Sequence, residues 1–133
     1  MRKAQFDAEN FTKNDQLIKR KDTVEVVIDI LNRIKAVADE VNKMSQELRE
    51  KLYHITFNST ILIFRLARIL REASFSKEAT GFLAFNVLCL DNNLILTTAK
   101  YLDWRVMNYL ELARAYADLS AYKAASKVVT YGV

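Results

Sequence analysis

The 133-residue chain has no proline and only two glycines, Gly81 and Gly132. Tight turns between strands draw on both residue types, so a β-rich fold is disfavoured and an all-helical one is expected. There is one cysteine, Cys89, so no internal disulfide can form. Cys89 lies in the apolar run FLAFNVLCL, where a thiol acts as a small hydrophobe. There is one histidine, His54, and one His with one Cys cannot build a His/Cys zinc site within the chain. No apolar run approaches about 18 residues, so no membrane span is expected. The first residues, MRKAQFDAENFTKND, lack the apolar core of a secretory signal. An intracellular location is the expectation.

Charge of one sign is also lacking. Residues 1–52 hold 11 basic and 10 acidic side chains, and residues 53–133 hold 9 and 6. That excess is small for a nucleic-acid surface, and no aromatic stacking platform is interleaved with it. Catalysis is equally unsupported. A nucleophile needs an activating base, and His54 is the one histidine on offer. No glycine-rich phosphate loop is present. The expectation is a non-enzyme with no cofactor, metal or small-molecule substrate, and with neither nucleic acid nor membrane as partner.

What is present is helical periodicity. Residues 1–14 are polar and aperiodic, a lead-in with Phe6 and Phe11 as anchors. Val24, Ile28, Leu31, Ile34, Ala38, Val41, Met44, Leu48, Leu52 and Ile55 then recur at steps of three or four. The spacing predicts one long amphipathic helix within 15–57. It reads either as a coiled-coil seam or as a helix docked on an array. Val27 and Val37 widen the stripe and favour docking. Asn58-Ser59-Thr60 are cap-type residues and predict the start of a second helix, ending near Glu72. SFS at 74–76 reads as a turn, Ser76 to about Leu90 as a third helix, and DNN at 91–93 as a break. Helices over about 104–119 and 121–131 complete the reading, with Gly132 as a C-cap.

Residues 66–79, LARILREASFSKEA, return 46 residues later as LARAYADLSAYKAA. Each copy reads as a helical hairpin: 58–90, then a connector over 91–103, then 104–133. Large residues at 63, 66, 70 and 109, 112, 116 alternate with small ones at 67, 79, 113 and 125. That mixture matches a tetratricopeptide-like pattern, lengthened from 34 to 46 residues by DNNLILTTAKYL. Such hairpins bury their faces on neighbours, so 15–133 reads as one helical domain, a partial α-solenoid belonging to a larger array.

The segment from Asn58 to Tyr109 resembles the N-terminal helical-repeat region of the cilia- and flagella-associated protein fifty-four family. The resemblance rests on Asn58, Thr60, Ser76, Ala79, Leu83, Cys89 with Asp91, and the block Tyr101-Leu102-x-Trp104-Arg105 with Tyr109. It implies a structural protein of the ciliary or flagellar axoneme, in a projection of the central apparatus. It further implies attachment through contacts with other large axonemal proteins, and no catalysis. The chain is far shorter than members of that family.

Candidate partner contacts are Arg65, Arg68 and Arg71, spaced i, i+3, i+6, which suit acidic tails or phosphates. Tyr101, Trp104 and Arg105 share one helical face and suit a protein–protein contact. Each set also has a plainer reading: a solvated arginine face, and a Trp packed between hairpins beside an Arg paired to Asp103 or Asp91. A cytosolic peptide-binding adaptor is the alternative function, with Asn108 and Lys123 as its peptide-holding residues.

Overall fold

A computed structural model describes the backbone of residues 13–119, and their side chains from residue 21. All regular structure among them is helical: α1 (Lys13–Asn42), α2 (Gln46–Lys51), α3 (Tyr53–Glu72), α4 (Ser76–Asp91), a 3-10 turn (Ala99–Tyr101) and α5 (Leu102–Asp118). The expected anchors Phe6 and Phe11, the return helix 121–131 with Lys123 and Ala125, and the Gly132 cap lie outside the described residues. None of the described helices is long and apolar enough to cross a membrane.

On α1, Val24, Leu31, Ala38 and Val41 are buried, so the expected stripe does face a core. The helix stops at Asn42, however, instead of running on to Ile55. Ser45 is responsible in part. Its hydroxyl accepts from the Leu48 amide and caps α2, offering the backbone an alternative to one more helical turn. Arg49 Nη1 donates to the Met44 carbonyl at 2.9 Å, which satisfies an acceptor that the break exposes.

α3 begins at Tyr53, five residues before the expected cap. Asn58-Ser59-Thr60 sit inside it. The Ser59 hydroxyl donates to the Ile55 carbonyl at 2.8 Å and the Thr60 hydroxyl to the Phe57 carbonyl at 2.7 Å. Cap-type residues here bond backwards along a helix that already exists. The helix ends in a Schellman turn: the Phe75 amide donates to the Leu70 carbonyl at 2.8 Å and the Ser74 amide to the Arg71 carbonyl at 3.0 Å. Ser74 takes the left-handed position, φ 72°, that glycine usually fills. Phe75 then folds onto the same core as Leu70, which fixes the return angle of α4.

α4 is the central element. It packs along α3 on one side and α5 on another, and α1 lies across both α3 and α4. Its buried residues, Ser76, Ala79, Phe82, Leu83, Phe85, Asn86, Cys89 and Leu90, occupy about half of its circumference, a wide face shared among three neighbours. Ala67 of α3 and Ala79 of α4 are both fully buried, and their small side chains permit close approach. The connector to α5 is held on both sides. Leu96 is fully buried with Leu90 and Tyr101. Asn93 donates to the Arg49 carbonyl at 2.8 Å while accepting from the Ile95 amide at 3.1 Å.

Candidate functional site at the α3–α4–α5 junction

Trp104, one turn into α5, lies over the seam where α3 and α5 converge on α4. Its ring meets Phe64 at 4.9 Å and Phe57 at 6.4 Å, the second edge-on. Its indole Nε1 donates to the Thr60 hydroxyl at 3.2 Å. That hydroxyl thus accepts from the indole and donates to the Phe57 carbonyl, using both its capacities. Tyr101 is buried against Phe57 at 5.1 Å. Arg105 Nη2 pairs with Asp91 Oδ1 at 2.9 Å, and the Tyr109 hydroxyl donates to the other oxygen, Asp91 Oδ2. Burial, then the adjacent Asp91 carboxylate, pushes the Tyr109 phenol up to about 12. The face shared by Tyr101, Trp104 and Arg105 is therefore engaged within the chain. Arg105 takes Asp91, not Asp103.

A second polar line crosses the interior. Asn86, fully buried on α4, donates to the Thr60 carbonyl at 2.8 Å and to Asn108 Oδ1 at 3.0 Å. Asn108 donates in turn to the Trp104 carbonyl at 2.9 Å. Three helices are tied by two side-chain amides. Asn108 is fully buried, so it cannot serve as a peptide-holding residue on an open surface.

The arginine triplet on α3 is not one patch. Arg65 is exposed and pairs with none of the described acids. Arg68 pairs with Glu72 on its own helix at 3.1 Å. Arg71 turns toward α5, where its Nε donates to Glu111 and its Nη1 lies 3.5 Å from Asp118. Burial of the Arg71 guanidinium opposes its charge, but the Glu111 hydrogen bond and both carboxylates outweigh it and raise its pKa. Glu111 is 1% exposed and also meets Arg114 Nη1 at 3.3 Å. Ser76 adds a bond from its hydroxyl to Asp118 at 3.0 Å. An open cleft of about 420 Å³ lies beside this cluster, lined in part by Arg71, Ser74, Lys77 and Asp118. Sequence reasoning missed Asn86 and Glu111. The signal was there: an amide and a carboxylate at the core phase of their helices, flanked by apolar residues.

Cys89 is fully buried, and Asn42 Nδ2 donates to its sulfur at 3.1 Å across the α1–α4 contact. Burial pushes the thiol up to about 11, although the Asn42 bond pulls the other way. The thiol is thus held neutral. Among the described residues no group of His, Cys, Asp or Glu is arranged to hold a metal ion.

A family model described as Cilia- and flagella-associated protein 54 matches residues 5–131. Curated relatives of the same description agree. That of Chlamydomonas reinhardtii is 26% identical over 121 residues, 90% of this chain. That of Homo sapiens is 26% identical over 108 residues, 81% of the chain, and that of Mus musculus 30% over 70 residues, 53% of it. The chain spans only 4%, 3% and 2% of the length of these three relatives, respectively. No solved structure matches it.

Proposed function

Because the chain belongs to the cilia- and flagella-associated protein 54 family, we propose that it is a non-catalytic scaffold of the ciliary or flagellar axoneme, a component of a central-apparatus projection acting through protein–protein contacts. A tetratricopeptide-like repeat of two hairpins within a larger array is part of the same proposal. The observation that supports it is where the residues of the resemblance go. Thr60, Asp91, Tyr101, Trp104, Arg105 and Tyr109 all join one helix to another. Cys89 bonds α1 to α4, and Ser76 bonds α4 to α5. Asn58 and Leu102 of the same set are exposed, but the rest are engaged within the chain; side chains spent on internal contacts preserve a shape, and a shape is what a scaffold supplies. The alternative, a peptide-binding adaptor, loses Asn108 to the interior.

The test is localisation. A tagged chain in a ciliated cell is expected to stay with axonemes after membrane removal and to be depleted from axonemes that lack the central pair. Recovery in the soluble fraction, or equal retention without the central pair, overturns the proposal.

A further inference from the structure

α5 has a buried residue on its outer side. Asn108, Glu111, Leu112 and Ala115 turn one side of the helix toward α3 and α4. At about 100° per residue, Ala113 lies about 150° round the helix from the mean direction of those four. It is nonetheless 6% exposed, and it packs in neither of the two described core clusters. Tyr109 and Tyr116, one turn to either side of it, are half-buried.

The repeat identifies what covers this face. Forty-six residues earlier, Ala113 corresponds to Ala67, Tyr109 to Ile63 and Tyr116 to Leu70. In the first hairpin those three share one core with Ala79 and Leu83 of the returning helix, and all five are at most 1% exposed. The counterparts of Ala79 and Leu83 are Ala125 and Val129, in the segment that follows α5. That segment is amphipathic. Placed on a helical wheel, Ala121, Ala124, Ala125 and Val128 fall within about 100°, with Val129 at the edge, while Lys123, Ser126, Lys127 and Thr130 fall within about 100° on the other side. The length also fits. Residues 121–131 make a helix of about 16 Å, and Tyr116 to Tyr109 span about 10 Å of α5. α5 ends at Asp118, where the Leu119 amide closes the last turn on the Ala115 and Tyr116 carbonyls, so a segment returning from there runs back over Ala113. We propose that residues 121–131 dock antiparallel on this outer face of α5, with Ala125 against Ala113, Val129 against Tyr109 and Tyr122 against Tyr116. The two alanines let the helices approach closely, and Lys123 and Lys127 stay in water. The inference rests on the two-hairpin reading and adds to it the face and the register.

Nuclear Overhauser spectra of the labelled 133-residue chain test it. Contacts are expected between the Ala113 and Ala125 methyls and between the Tyr109 ring and the Val129 methyls. An isotope-filtered mixture of labelled and unlabelled chains is expected to show neither contact between chains. Ala125→Glu sets a charge against Ala113 and is expected to abolish both contacts, since an unpaired charge is not held in an apolar seam. Lys123→Glu, on the polar side, is expected to keep them. The indole N–H resonance of Trp104, bonded to Thr60, is expected to stay in place in both variants and shows that the rest of the fold is intact. Absent contacts, contacts in another register, or contacts found between chains each overturn the proposal. So does an Ala125→Glu chain that keeps both contacts. Carbon chemical shifts of residues 121–131 tell the failures apart. A helical segment lying elsewhere overturns this docking alone, and a non-helical one overturns the two-hairpin reading with it. The axonemal assignment is decided separately, by localisation.

Discussion

Removing Arg71 isolates the most deeply buried carboxylate among the described residues. In Arg71→Met the stem still packs, but Glu111, 1% exposed, keeps only Arg114 at 3.3 Å, whose side chain is 61% exposed. Breaking a buried pair from one side costs about 3–5 kcal/mol, because the charge left behind cannot reach water. The reverse variant, Glu111→Met, should cost less, about 2–3 kcal/mol. Arg71 is 17% exposed and retains Asp118 at 3.5 Å, so its guanidinium can rehydrate partly. The double variant R71M/E111M leaves no buried charge and should recover most of the larger loss, giving a coupling of about 2 kcal/mol or more. Urea unfolding read by far-ultraviolet circular dichroism and by fluorescence of Trp104, the single tryptophan, measures all four states. Two results refute the reasoning: a loss under about 1 kcal/mol for Arg71→Met, or single losses that simply add in the double variant.

Three further outcomes are expected. Ser74→Gly relieves a left-handed backbone at the end of α3 and should stabilise by about 0.5–1 kcal/mol in the same urea assay, whereas Ser74→Val should destabilise by at least about 1 kcal/mol. Gly81→Ala on the exposed face of α4 meets nothing within 4 Å and should stabilise by about 0.5–1 kcal/mol, seen as a higher melting temperature. Because the Cys89 thiol is raised in the folded state, its contribution is fully present below its unfolded pKa near 9 and is lost as pH rises through about 11. Unfolding free energies from a pH series of urea titrations should therefore fall by about 2–3 kcal/mol more over that window for the native chain than for Cys89→Ala.

Local signals located the joints better than they located the partners. SFS is where α3 gives way to α4, and DNN is where α4 ends, because Schellman and Asx turns are set by residues within four positions of one another. The end of α1 was illegible for the opposite reason. Apolar residues keep their spacing straight through Ser45, and periodicity does not register that a hydroxyl has claimed the next amide. Ser59 and Thr60 carry the same ambiguity: one residue type caps a helix or bonds back within it, and the preceding turn decides. Arg71 could not be told from Arg65 and Arg68 by spacing, since its partner Glu111 lies 40 residues away. Val37 read as a widening of the docking stripe, whereas its exposure assigns it to a separate face.

The amide line from Thr60 through Asn86 to Asn108 also acts as a ruler. Apolar helix faces tolerate sliding, since one leucine fits a hollow much as the next does. A slip of α4 by one turn, about 5.4 Å, would pull Asn86 away from both of its acceptors at once. Each amide stranded inside costs about 1–3 kcal/mol. Two amides thus turn a surface that could settle in several places into one with a single stop. Helices indexed in this way keep one fixed offset along α3, α4 and α5.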